Sequence, residues 1–144
     1  MRNLTDLWND RVNAGMVDEV CALYAKSARL LATFASKPID NPEGIRAYFD
    51  GFTTRVGAGV SFDEKGTLRQ DLGNQQFLYT GTYTFFHGET EARQEFPARY
   101  TFLVDESSDP KILHHHSSDP QIDHHFRRIN GIGNLFKGIV RNFP

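Results

Sequence analysis

Apolar residues near the start of the chain recur at helical intervals: Leu4, Leu7, Trp8 and Val12. After Asn13-Ala14-Gly15 the same spacing resumes over residues 17–24, with acidic residues in its first turn. This pattern predicts two short helices or one kinked helix.

A strand and a further helix are predicted next. Residues 28–34 form a continuous apolar run of strand length. Asn41-Pro42 is a typical helix start, with a capping side chain followed by proline in the first helical position. The following helix should bury an aromatic stripe, made of Ile45, Tyr48, Phe49 and Phe52.

The second half of the chain is rich in strand-forming residues separated by turn residues. Four segments are predicted to be extended: 60–72 with a turn at Lys65-Gly66, 75–87, 96–105 and 111–118. Helices followed by a meander of this kind predict an α+β fold, in which the helices pack on one face of a curved antiparallel sheet. Apolar and aromatic residues on both faces between positions 77 and 104 also predict a homodimer.

The chain has 144 residues, enough for one domain. We assign residues 1–120 to that domain and 121–144 to a C-terminal extension. The extension has loose helical spacing interrupted by glycines, compatible with a docking segment, a membrane-surface peptide or a poorly ordered appendage. Of these we favour docking on a second copy or a partner.

Charge and cysteine content exclude several function classes. Sixteen basic against eighteen acidic residues give a net charge of −2, which predicts neither a nucleic-acid partner nor an anionic membrane partner. The single cysteine, Cys21, excludes an internal disulfide and a zinc site built on several thiolates. The N-terminus lacks the apolar stretch of a secretory signal and no apolar run is long enough to span a membrane, so we expect a cytoplasmic protein.

Histidines are concentrated near the end of the predicted domain, in the segment Ile112–Pro120. Strand alternation places Leu113, His115 and Ser117 on one face, and Ile112, His114, His116 and Ser118 on the other. His114 and His116 could hold a divalent ion. Alternatively, His115 and Ser117 point into a cavity as a neutral hydrogen-bonding pair, or the histidines simply cover a hydrated sheet surface.

Five short motifs occur in a fixed order along the chain: LLATFAS, NPEGIRAYF, GTYTF, ARYTFLV and ILHHHSSDP. Together they resemble the iota-class carbonic anhydrases. This class belongs to the nuclear-transport-factor-2-like superfamily and is related to the association domain of calmodulin-dependent kinase. The resemblance covers about residues 4–120, and its most specific part is the His-His-Ser-Ser-x-Pro ending.

The resemblance implies a cone-shaped fold with an internal pocket and a dimeric assembly. By motif position it implies a catalytic set of Thr33 on the first strand, Tyr48 on the helix after Asn41-Pro42, and His115 and Ser117 on the last strand. Arg99 matches a pocket-facing, substrate-binding position. We take the His115/Ser117 register rather than His116/Ser118, which a slip of one residue would select.

The activity implied is reversible hydration of CO2 to bicarbonate, with these small molecules as the binding partners. The resemblance implies no required cofactor and no metal ligand, although a divalent ion such as manganese or zinc is compatible with it. Hydroxyls of Thr33, Tyr48 and Ser117 would donate to bicarbonate, and His115 would act as general base or proton shuttle. The alternatives are a non-catalytic ligand-binding or oligomerisation module, and a metal-dependent hydrolase or isomerase using His114 and His116.

Overall fold

The computed structural model describes residues 3–120, in which three α-helices form: α1 (Leu4–Asn13), α2 (Val17–Ala22) and α3 (Pro42–Thr53). Asn3 caps α1 by accepting a hydrogen bond from the Asp6 N–H. Asn41 caps α3 by accepting one from the Gly44 N–H, at 2.7 Å. Of the two alternatives left by the sequence, two separate helices form, and Gly15 turns the chain between them with a φ of 69°.

Six strands form one curved sheet: β1 (Tyr24–Leu31), β2 (Gly59–Phe62), β3 (Leu68–Gly73), β4 (Gln76–His87), β5 (Gln94–Asp105) and β6 (Lys111–Ser118). Their order is β1-β6-β5-β4-β2. Strands β2 and β3 share one edge of β4: β3 pairs with its first half and β2 with its second half. Short 3₁₀ turns, Glu64–Gly66 and Thr90–Ala92, precede β3 and β5. The α+β fold predicted from the sequence is confirmed.

The sheet is mixed rather than wholly antiparallel. Strands β4, β5 and β6 form the predicted meander, but β1 pairs parallel to β6, with Leu30 opposite His115. After β1 the chain forms α3 and five further strands, of which only the last, β6, pairs with β1. A prediction from successive hairpins cannot place such a distant pairing.

The first strand lies earlier in the chain than its apolar run predicted. Tyr24 begins β1, because the Ile112 N–H donates to the Leu23 carbonyl at 2.7 Å and Tyr24 pairs with Ile112. Assigning Tyr24 to a helical stripe was therefore wrong. The strand ends at Leu31, so Thr33 lies in the turn that follows rather than on the strand.

Strand β6 contains a bulge that changes its alternation. Leu103 pairs with His114 and Val104 with Ile112, which leaves Leu113 as the extra residue. Ile112 therefore shares the buried face with His115 and Ser117, whereas strict alternation had placed it beside His114.

The helices cover the concave face of the sheet, which we call the inner face. Trp8 of α1 is 1% exposed and lies at the centre of this core. Its indole packs edge-on against the rings of Phe49, Phe62 and Phe102, at centroid distances of 6.1, 5.9 and 5.4 Å. The predicted stripe on α3 is buried at Ile45, Phe49 and Phe52, while Tyr48 is half-buried.

The C-terminal extension, residues 121–144, lies outside the described residues, so the prediction of a docking segment stays a prediction. Among residues 3–120, no helix is both long and apolar enough to cross a bilayer.

Candidate functional site

His115 stands at the centre of the candidate site. It projects from β6 into the inner face and is only 2% exposed. Its Nδ1 lies 2.8 Å from the Tyr24 hydroxyl and its Nε2 lies 3.0 Å from the Tyr83 hydroxyl. The Phe102 ring stacks on the imidazole at 3.8 Å, and the Trp8 indole meets it edge-on at 5.3 Å.

This environment keeps the His115 ring neutral. Burial lowers its pKa to about 3, and the neighbouring His114 and His116 add to the effect. A neutral imidazole donates from one nitrogen and accepts at the other, which matches its two tyrosine partners. So weak a base does not suit the general-base role that the sequence comparison implied, and the structure favours a positioning role instead.

Ser117 and Thr33 form the next part of the site. Ser117 is 5% exposed on the same face of β6 as His115, and its hydroxyl hydrogen-bonds to that of Thr33 in the turn after β1. Both residues line a pocket of about 320 Å³ between that turn and the end of β6. The pocket connects these hydroxyls to the surface, beside Lys37 and His116.

Tyr48, on α3, lies beside the residue after Thr33: it hydrogen-bonds the Phe34 backbone and lines a neighbouring pocket with Phe34 and Arg55. Burial raises the pKa of Tyr48 to about 12. This effect outweighs the hydrogen bond with the Phe34 backbone, which lowers the pKa. Burial also raises the pKa of Tyr24 and of Tyr83 well above their ordinary values, and the nearby Tyr48 hydroxyl adds to both shifts. All three phenols therefore remain protonated and can donate hydrogen bonds at neutral pH.

Three members of the site were absent from the sequence prediction, namely Trp8, Tyr24 and Tyr83. The Trp8 indole N–H donates to the Tyr24 hydroxyl at 3.0 Å, which extends the hydrogen bonds around His115 into α1. Tyr83 lies within the GTYTF motif, so its position on the buried face of β4 could have identified it. Tyr24 had no such signal, because its segment was assigned to a helix.

Arg99 is not brought to this cluster. It is exposed on the outer face of the sheet, opposite Ser118 of β6 and Thr82 of β4. Its neighbours in β5, Ala98 and Tyr100, are the residues that point inward, as alternation requires.

His114 and His116 also face outward and stand apart from the buried cluster. His114 is half-buried and His116 is exposed. Within residues 3–120, no group of three or more His, Cys, Asp or Glu side chains is arranged to hold a metal ion. Among residues 3–120, His114 and His116 therefore have no third His, Cys, Asp or Glu side chain that could complete a metal site with them.

The neutral state of His115 has a consequence for acid stability. Its pKa is about 3 in the folded protein and 6.5 in an ordinary setting, so between these values the unfolded chain binds more protons. Stability should fall as pH falls below about 6.5, by about 1.4 kcal/mol per pH unit for one proton. The lowered pKa of His114, due mainly to burial, acts in the same direction.

Urea unfolding of the wild type and of His115→Gln between pH 7 and pH 4.5 measures this effect. We expect the variant to show the shallower pH dependence, because its side chain at this position does not titrate. Parallel pH profiles for the two proteins would contradict the assignment.

Solved structures show what this architecture resembles. The match to a "putative calcium/calmodulin dependent protein kinase II association domain" from Xanthomonas campestris has a TM-score of 0.72 and 28% identity, and covers 81% of this chain and 82% of that one. An "ntf2-like protein with a cystatin-like fold" from Novosphingobium aromaticivorans matches with a TM-score of 0.67 and 7% identity, covering 81% and 77%.

A "putative scytalone dehydratase" from Novosphingobium aromaticivorans matches with a TM-score of 0.66 and 10% identity, over 78% of this chain and 76% of its own. No protein-family model and no curated protein matches the sequence. None of these three structures is named as a carbonic anhydrase, and what they share with this chain is architecture. By its strand order, its helices on the concave face and these matches, the chain has the nuclear-transport-factor-2-like fold.

Proposed function

We propose that this protein catalyses the reversible hydration of CO2 to bicarbonate, in the manner of an iota-type carbonic anhydrase. One observation carries the proposal. Thr33 and Ser117, two of the four residues that the motif resemblance assigns to a pocket, share a hydrogen bond and line one pocket. The other two lie near them: His115 hydrogen-bonds Tyr83, which neighbours Ser117, and Tyr48 hydrogen-bonds the backbone of Phe34, the residue after Thr33. Residues so far apart in the sequence have no local reason to converge.

The chemistry available is stabilisation of bicarbonate as it forms. A water oxygen bonds to the carbon of CO2, one proton leaves, and negative charge develops on the oxygens of the product. The Thr33 and Ser117 hydroxyls share one hydrogen bond, so one of their two protons stays free to donate to those oxygens, and the Tyr48 hydroxyl is a further candidate donor. The apolar part of the pocket lining, made of Leu31, Ala32, Ala35 and Pro38, suits uncharged CO2.

The proton that leaves must reach bulk water. Because His115 is buried and neutral, this step falls to groups at the mouth of the pocket. Asp119 is exposed there, two residues from Ser117. Its carboxylate is placed to pass the proton outward.

Stopped-flow CO2 hydration on metal-stripped protein tests the proposal. We expect activity after chelation, because the proposed donors are hydroxyl groups of the chain itself. Activity that returns only on adding manganese or zinc would assign the reaction to a bound ion instead. An absence of activity with and without either ion would reject a carbonic anhydrase.

A second function has its own support. Both ring nitrogens of His115 are engaged by tyrosines, so the described cluster offers hydrogen-bond donors without a free imidazole base. Such a site can bind a small anion without transforming it. Bicarbonate binding in the absence of CO2 hydration would identify the protein as a non-catalytic binding module of the same fold.

We also propose that two copies pair through the outer face of the sheet, which lies opposite the helices. Strand pairing arranges this face in rows, and one row contains Leu68, Thr80, Thr101, His116 and Leu31. The adjacent row contains Gln70, Leu78, Leu103, His114 and Arg29. These ten residues include one permanent charge, and Leu68 is 68% exposed, which suits a covered face.

Leu103→Arg should convert a dimer into a monomer. Leu103 lies in the middle of the second row, so the substitution places a charge within the proposed interface. Val56→Arg is the control, since Val56 is 66% exposed in the connection between α3 and β2. Light scattering coupled to size exclusion measures the mass, and a monomeric wild type would contradict the proposal.

A further inference from the structure

A continuous series of hydrogen bonds runs through the core on either side of His115. The Trp8 indole N–H donates to the Tyr24 hydroxyl, which lies against His115 Nδ1, and His115 Nε2 lies against the Tyr83 hydroxyl. All four residues are buried, three of them at 2% exposure or less. Each donor and acceptor in this series must therefore find its partner within the protein.

Counting protons along the series fixes its direction. An indole N–H can only donate, so the Tyr24 oxygen accepts from Trp8. The single Tyr24 hydroxyl proton then needs an acceptor, and of its two hydrogen-bonded neighbours only His115 Nδ1 can supply one. If Nδ1 carried a proton, that tyrosine proton would be buried without a partner, at a cost of about 1–3 kcal/mol.

His115 therefore carries its proton on Nε2 and donates it to the Tyr83 oxygen. Tyr83 is left with its own hydroxyl proton to place. Ser117 neighbours the Tyr83 hydroxyl, and by elimination we assign it as the acceptor of this proton; Ser117 bonds in turn to Thr33. The series thus presents donors, rather than acceptors, to the pocket that Ser117 and Thr33 line.

We propose that Tyr24 is a positioning residue that holds His115 as the Nε2–H tautomer, and that Tyr83 is thereby fixed as a hydrogen-bond donor at the Ser117 end of the site. The tautomer follows from the hydrogen-bond geometry of Trp8, Tyr24, His115 and Tyr83 alone. The consequence for ligand binding rests on the proposed function. A site polarised in this direction selects a small oxyanion, because each bond in the series strengthens the next donor.

Nitrogen-15 NMR of the histidine side chains tests the tautomer without any activity measurement. The His115 signals are assigned by their loss in His115→Gln. In the wild type we expect a protonated Nε2 and an unprotonated Nδ1 at neutral pH. A protonated Nδ1 would overturn the proposal.

The variant Tyr24→Phe tests what sets the tautomer. Nδ1 then has no partner in either tautomer, so both tautomers should be populated. We therefore expect nitrogen-15 chemical shifts between the protonated and unprotonated values for both ring nitrogens. Tyr100→Phe is the matched control: Tyr100 is 3% exposed and its ring packs on Tyr83 at 4.7 Å, but its hydroxyl bonds to Thr67 and to no member of the series. Unchanged His115 signals in Tyr24→Phe would show that Tyr24 does not set the tautomer, and if that variant does not fold, the wild-type spectrum still decides the main point.

Bicarbonate titration followed by NMR tests the consequence for binding. Tyr24→Phe and Tyr83→Phe should each weaken binding roughly three- to ten-fold, the effect of one lost or weakened hydrogen bond, while Tyr100→Phe binds as the wild type does. Equal affinity in all four proteins would overturn the donor role of Tyr83. A wild type that binds no bicarbonate would count against the proposed function, while the tautomer measurement would still decide the assignment of His115.

Discussion

Ser117→Ala is expected to lower kcat/KM for CO2 hydration by roughly 100-fold. The substitution removes one of the two paired hydroxyls that together supply a hydrogen bond to the forming bicarbonate, and losing a single such donor typically costs an enzyme this much or more. It also leaves the Thr33 hydroxyl without its partner. Stopped-flow hydration at several CO2 concentrations would separate a loss in kcat from a rise in KM.

The chain supplies a matched control in the adjacent serine. Ser118 follows Ser117 on β6 but faces outward, opposite Arg99 of β5. Ser118→Ala should keep wild-type activity, and thermal unfolding of both variants would show that each is folded. If the two variants lost activity equally, the inward register would not be the functional one.

His115→Ala should destabilise the fold by roughly 3–5 kcal/mol, because it opens a ring-sized cavity and leaves two buried phenols without their shared partner. The missing ring packs against both Phe102 and the Trp8 indole, at 3.8 and 5.3 Å, so its loss removes contacts to the sheet and to α1. Urea unfolding monitored by tryptophan fluorescence would measure the loss directly, since Trp8 is the single tryptophan.

His116→Ala is the companion measurement. His116 faces outward and makes none of the core contacts of His115, so its removal should lower the free energy of unfolding far less. A small effect at His115, comparable with that at His116, would mean that the imidazole does not organise the core.

The sequence was most informative where one rule acts locally. The cap at Asn41 and the aromatic stripe of α3 needed only helical spacing, and the three strands of the meander needed only alternation and turn residues. The choice of His115 and Ser117 as the inward pair also agrees with the observed burial. It depended on motif order, because alternation alone does not say which face is covered.

The differences arise where distant pairing overrides local pattern. Tyr24 has helical spacing from Val20, but pairing with Ile112 draws it into β1 and brings its hydroxyl to His115. The bulge at Leu113 likewise depends on the facing strand. Buried tyrosines pose the same difficulty, since a phenol has the periodicity of a core residue while its hydroxyl needs a polar partner.

The most direct test measures, by mass spectrometry, how fast labelled bicarbonate loses oxygen-18 at chemical equilibrium. The wild-type protein is first treated with a chelator to remove bound metal. The reaction exchanges oxygen between bicarbonate and water on each cycle, so it reports the chemical step without a change in pH. We expect exchange well above the uncatalysed rate with the wild type, and a near-background rate with Ser117→Ala. Exchange at the uncatalysed rate with wild-type protein would contradict the proposed function.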